Sequence, residues 1–241
     1  MHAIKTNSMR IKINFIGNDK PVTQRLNKEV NGFINRLLGE NNEYHGKFSN
    51  YSVSPMLGYI IDKEHHCLSY PEGAYIFVSS NDVTFMEKII NGLCFLSGDV
   101  FVGPLQLNKE KMFEIDNFSV AKYYDIVRTN GPVIVKDDRK PVTFKDEEFL
   151  PILREKSIKK LIHNGIAEKD ANSIKIELFH PEHARTEMHE IGRQKNIASR
   201  VMFRISGNIH ARQTLYELGL GVSTGFGFGS VSLRKSIISN N

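Results

Sequence analysis

Met9, Ile11, Ile13 and Phe15 alternate with Arg10, Lys12 and Asn14, a two-residue period that predicts a strand with one buried and one wet face. Asp19 and Pro21 read as the punctuation of a helix start, and Val22, Leu26, Val30, Phe33, Ile34, Leu37 and Leu38 then recur at helical spacing as far as Gly39. Extended segments follow around 51–61 and 67–79, and a helix runs from Asp82 to about Leu96 with Phe85, Ile89, Leu93 and Leu96 on one face. Phe101 to Leu107 is expected to close the set as a strand. Strand, helix, strand, strand, helix, strand is the split ferredoxin-like order.

The second half repeats it. Lys122 to Val135 is extended and broken at Asn130-Gly131-Pro132, and Asp146 to His163 is helical, with Pro151 near its first turn and Gly165 at its end. Ser173 to Phe179 reads as a strand, and Arg185 to Ile191 and Ile197 to Ser206 flank the hairpin tip Gly192-Arg193-Gln194-Lys195-Asn196. A helix over Ile209 to Leu218 leads through a glycine-rich run into a last strand, Phe226 to Leu233. The pattern predicts an α+β protein of two tandem ferredoxin-like (βαββαβ) domains, residues 1–112 and 113–241. The polar Asn108-Lys109-Glu110-Lys111 lies at the join.

The run Gly219-Leu220-Gly221-Val222-Ser223-Thr224-Gly225-Phe226-Gly227-Phe228-Gly229 is the most informative segment. Gly219, Gly221, Gly225, Gly227 and Gly229 remove side chains that would keep a polyanion away from main-chain N–H groups, and they permit the positive φ that aims those groups together. A Gly-rich turn packed closely against a sheet accounts for the same residues. Dinucleotide and Walker-type loops are excluded, because the first needs Gly-x-Gly-x-x-Gly between strand and helix and the second ends in Gly-Lys-Ser/Thr. Here a helix precedes the glycines and a strand follows.

Composition adds a mild bias. The 241 residues are 40% hydrophobic, enough for a real core. A formal charge of +5 favours an anionic partner. Cys67 and Cys94 are the only cysteines, which gives neither a disulfide framework nor a cysteine zinc site and fits a reducing cytoplasm. The polar start Met1 to Ser8 and the lack of a long apolar run disfavour secretion and membrane spanning.

Two constellations carry candidate chemistry. Along Ile197 to Ser206, strand parity puts Arg200 and Arg204 on one face, and Arg193 and Lys195 sit at the hairpin tip with Arg185 on the opposing arm. This is a basic finger suited to a nucleic-acid backbone, partly offset by Glu187 and Glu190. After the first helix, Tyr44-His45-Gly46-Lys47 and Tyr51 share one polar loop. An imidazole titrating near neutral pH can take a proton from a hydroxyl, and a nearby ammonium can stabilise charge on a phosphate. His45 is the candidate acid–base residue. His180-Pro181-Glu182-His183 has the residue types of a metal site, but Pro181 rules out the helical face of a zinc-protease motif. No metal and no cofactor is expected.

Taken together, the Gly219 to Gly229 run, the helix before it, the tandem ferredoxin-like order and the segment His45 to Pro55 resemble the CRISPR repeat-processing endoribonucleases of the repeat-associated mysterious protein superfamily. The resemblance covers about Met9 to Lys235. It implies a metal-independent endoribonuclease that binds the repeat of a CRISPR precursor transcript and cuts it into guide units by 2′-hydroxyl attack, leaving a 2′,3′-cyclic phosphate and a 5′-hydroxyl. His45 would be the general base or acid, with Lys47 and Tyr44 or Tyr51 assisting at the phosphate. Arg193, Lys195, Arg200, Arg204 and the glycine loop would hold RNA. The same signature occurs in superfamily members that bind RNA without cutting it, so a catalytically inactive RNA-binding subunit is the alternative. Other CRISPR effector subunits and a homodimer stay open as partners.

Overall fold

The computed structural model describes residues 9–22, 25–39, 44, 50–116, 120, 124–191 and 194–234. The chain divides into two compact units, Met1–Asn117 with Thr224–Gly227, and Phe118–Ser223 with Phe228–Asn241. Among the described residues no helix is long and apolar enough to cross a membrane.

The first unit contains β1 (Met9–Phe15), β2 (Asn18–Val22), α1 (Asn27–Leu38), β3 (Tyr51–Val53), β4 (Ile60–Asp62), β5 (Cys67–Tyr70), β6 (Ala74–Ser80), α2 (Val83–Cys94), β7 (Phe101–Val102), β8 (Leu105–Gln106) and β9 (Phe113–Ile115). Its main sheet has the order β3-β6-β1-β9, with antiparallel pairing throughout. Ile11, Ile13 and Phe15 of β1 face Val30, Phe33, Ile34 and Leu37 of α1 and Phe85, Ile89 and Leu93 of α2 in one buried cluster. The alternation of β1 and the helical period of α1 thus meet in a single core.

The second unit contains β10 (Tyr124–Thr129), β11 (Val135–Asp137), β12 (Lys140–Val142), α3 (Phe149–His163), α4 (Glu168–Asn172), β13 (Lys175–Phe179), β14 (Arg185–Ile191), β15 (Gln194–Arg200), β16 (Met202–Ser206), α5 (Ile209–Leu218) and β17 (Val231–Leu233). Its sheet order, β13-β16-β10-β17, repeats that of the first unit. Val127, Phe203, Ile205, Leu153, Leu161 and Leu215 form its core. Across that core Arg212 Nη1 of α5 donates to Asp125 Oδ2 of β10 at 2.9 Å. Two ferredoxin-like units in tandem are therefore the fold.

Several expected boundaries move. Asn18–Val22 is a strand paired with β5, and α1 begins only at Asn27, because Val22 is buried opposite Leu68. Phe101 to Leu107 is not one strand: Phe101–Val102 folds back on Leu105–Gln106 through Gly103-Pro104, with Gly103 at φ 58°. The edge strand is instead Phe113–Ile115, paired with Ile11–Ile13, so a boundary at 112/113 would cut the first sheet. The last strand is Val231–Leu233 rather than Phe226 to Leu233, since Thr224–Phe226 forms a 3₁₀ turn.

Candidate functional site

The glycine loop starts where α5 stops. Gly219, at φ 71°, caps the helix and donates its N–H to Leu215 O. The chain then closes on itself: Leu220 N–H donates to Gly229 O at 2.9 Å, Gly229 N–H to Pro132 O at 3.0 Å and Val222 N–H to Ile134 O at 3.0 Å. A Cβ at Gly229 would overlap the Leu220 carbonyl, and one at Gly221 would overlap that of Ile134. Gly219, Gly221, Gly225, Gly227 and Gly229 are all buried. The N–H groups of Gly219 and Gly229 are engaged inside the protein, so these two glycines supply close backbone approach rather than donors for phosphate. Phe228 is also a core residue, its ring edge-on to His189 at 5.2 Å.

The middle of the loop, Thr224–Gly227, belongs to the N-terminal unit. Thr224 Oγ1 donates to Tyr51 O at 2.9 Å. From α1, Asn31 Nδ2 donates to Gly225 O at 3.4 Å and Asn27 Nδ2 to Phe226 O at 3.3 Å, while Asn35 Nδ2 donates to Asn31 Oδ1 at 3.0 Å. A Cβ at Gly225 would lie 2.7 Å from the Tyr51 ring, which stacks on Phe85 at 4.4 Å between centroids. The asparagine ladder escapes a reading of apolar periodicity. Its signal is the recurrence of Asn27, Asn31 and Asn35 along one face of an otherwise apolar and charged helix.

Strand β3, which supplies Tyr51, directly follows the segment that holds His45. The residues on either side of that segment are anchored. Tyr44 sets its ring edge-on against Phe85 at 5.1 Å and donates its hydroxyl to Asp82 Oδ2 at 3.2 Å. Asp82 in turn caps α2 by accepting from Phe85 N–H. On the other side, Ser80 Oγ donates to Asn50 O at 2.6 Å. Burial raises the Tyr51 phenol above its ordinary range, so it stays protonated as a neutral donor. His45 and Lys47 lie outside the described residues.

The basic hairpin differs from its expected form. Strand β15 pairs with β14 as far as Gln194 opposite Ile191, and Arg193 lies outside the described residues. Lys195 is exposed. The extended run breaks at Val201, so Arg200 stays in the two-stranded ribbon whereas Arg204 enters the main sheet. The two arginines thus pair in different sheets. Arg200 is held at all three nitrogens: Nε and Nη2 donate to Glu187 at 2.7 and 3.3 Å, and Nη1 donates to Asn130 O at 3.2 Å. Glu187, nearly buried, also meets Arg185 and His189. Arg200 is therefore a fixed part of the ribbon. Arg204 is exposed and lies over the Phe179 ring at 5.4 Å.

His180, Glu182 and His183 form an exposed turn whose ligand atoms lie within 4.8 Å of one another. His180 Nδ1 and Glu182 Oε1 already bond to each other at 2.7 Å.

Residues 116–233 match the family described as CRISPR associated protein Cas6, C-terminal. No curated protein sequence matches the chain. Among solved structures, a Cas6-related protein from Pyrococcus furiosus superposes with a TM-score of 0.78 at 19% identity, covering 95% of this chain and 100% of its own. A structure described as CRISPR associated protein Cas6 gives 0.75 at 19% identity with the same coverage. One described as an RAMP protein binding different RNA substrates gives 0.71 at 19%, over 94% of this chain and 100% of its own. At these identities the likeness is one of fold.

Proposed function

We propose that this chain, whose residues 116–233 match the Cas6 C-terminal family, binds CRISPR repeat RNA and cleaves the precursor transcript without a metal ion. The observation that carries the reading is the bonding of Thr224–Gly227 to Tyr51 and α1, which ties the glycine run to the strand emerging from the His45 segment. Positioning of a reacting phosphate requires a rigid backbone surface, and this bonding supplies one beside Tyr51.

In this reading the ribose 2′-hydroxyl attacks the adjacent phosphorus, the 5′-oxygen leaves, and the products are a 2′,3′-cyclic phosphate and a 5′-hydroxyl. His45 removes or returns the proton and Lys47 stabilises charge on the non-bridging oxygens. Tyr44 and Tyr51 frame the segment: Tyr44 already donates to Asp82, so its part is to fix the loop. Lys195, Arg204 and Arg193 contact the RNA backbone, and Arg200 keeps the ribbon in shape. The glycine loop presents its surface to the repeat.

Replacing His45 by alanine is expected to slow single-turnover cleavage of a repeat RNA by roughly 10²–10⁴-fold with an unchanged dissociation constant. Equal turnover by the variant would remove His45 from the mechanism. RNA binding with no cleavage by the wild-type protein would favour the non-cutting RNA-binding subunit.

A further inference from the structure

Helix α5 ends with no basic residue in its last turn, although the carbonyls of a final turn lack intrahelical partners and favour a cation. The cation comes from elsewhere. On α3, Leu153, Ser157, Lys160 and Leu161 form the buried stripe, so a lysine occupies a core register. The residue is 4% exposed. Nζ donates to Gly219 O at 3.1 Å, Gly221 O at 3.2 Å and Leu218 O at 3.4 Å. Three N–H donors of one ammonium thus meet three carbonyls of one short stretch, leaving no ammonium donor unmatched.

We propose that Lys160 is the positioning residue of the glycine loop, an internal cation that fixes the path of Leu218 to Gly221 and through it the loop that contacts RNA. Isolated helix caps of this kind are met by water on a surface; here burial excludes water, and an unmatched carbonyl would carry its full desolvation cost. Removing the lysine therefore unties several acceptors at once. The loop-fixing role stands on this geometry alone, and only its effect on RNA rests on the proposed function.

The test is hydrogen exchange on the full chain at about pH 6, comparing wild type, Lys160→Met and Lys160→Arg. In Lys160→Met, amides of 219–229, including those of Leu220, Val222 and Gly229, are expected to exchange about tenfold faster or more, while the β1–β6 ladder keeps its protection. Repeat-RNA affinity should fall by about tenfold, and Lys160→Arg, which keeps charged donors, should recover part of both losses. Wild-type exchange over 219–229 in a folded Lys160→Met would overturn the proposal. Should that variant aggregate, the wild-type protein decides by nuclear magnetic resonance. Scalar couplings from Lys160 Nζ to the carbonyl carbons of 218, 219 and 221 are expected, and a freely exchanging ammonium without them would contradict it. If wild type binds no repeat RNA yet the exchange result holds, the proposed function fails and the role of Lys160 does not.

Discussion

The first helix of each ferredoxin-like unit binds backbone carbonyls of the same glycine run, and the two helices do it with different chemistry. In the N-terminal unit, α1 uses the neutral amides of Asn27 and Asn31, both part-buried, for one carbonyl each. In the C-terminal unit, α3 uses a single buried ammonium for three. A neutral amide loses less than a charge when its bond breaks, even though the Oδ1 of Asn27 is itself buried with no hydrogen-bond partner among the described residues. A charge removed from water must be surrounded by acceptors, so its site is either complete or costly. Equivalent positions in a repeated topology thus hold one loop segment adjustably and the other rigidly.

The sharpest way to break this comparison is to disturb the closure on which the rigid side depends. Gly229→Ala places a methyl group on the Leu220 carbonyl at a position with φ 62°, and a loss of about 3 kcal/mol in urea unfolding is expected. A neutral result would mean that the loop relaxes freely.

A second effect comes from pH. Burial pushes the Lys160 ammonium down to about 7, against about 10.4 for an unfolded lysine, so the three-carbonyl clasp belongs to the protonated form and is complete below that pH; the acceptors oppose the shift by favouring the charged form. Between these values the unfolded chain binds the proton and the folded chain does not, so this group makes stability rise with pH across that window and contribute no slope below it. The charged groups of α5 are otherwise occupied, Arg212 with Asp125 and Glu217 with Gln213. Melting curves from pH 7 to 10 should show an upward component in wild type that Lys160→Met lacks; parallel profiles would assign the slope elsewhere.

On the adjustable side, Asn31→Ala should cost about 1 kcal/mol, and the loss should add to that of Asn27→Ala within about 0.5 kcal/mol if the amides act separately. Strong coupling would make the ladder a unit. The smallest expected effect separates the arginines: Arg204→Ala should lower the salt slope of RNA binding by about one, whereas Arg200→Ala should leave the slope unchanged. A lower slope for Arg200→Ala would mean that its ties to Glu187 open on binding.

The fold was legible because both core patterns are long. Seven residues of β1 alternate, and α1 repeats its apolar spacing over three turns. What escaped was short or polar. Phe113–Ile115 has too few residues to show a period, which misplaced the boundary. Asn27, Asn31, Asn35 and Lys160 drew no reading at all, because periodicity sorts residues by polarity and does not see carbonyls awaiting donors. The extended run read as one arm of a hairpin, whereas Arg200 pairs in the ribbon and Arg204 in the main sheet. The glycines signalled a special backbone, while their burial and the internal partners of Gly219 and Gly229 became visible only in three dimensions.

The central claim, metal-independent cleavage by an internal hydroxyl, is tested most directly with two repeat RNAs that differ by one oxygen. In EDTA the all-ribose repeat should be cut once, leaving a 2′,3′-cyclic phosphate and a 5′-hydroxyl. The same repeat with a single 2′-deoxy nucleotide at the scissile position should bind and stay intact. Cleavage of the deoxy substrate, or products ending in a 3′-hydroxyl and a 5′-phosphate, would contradict the account.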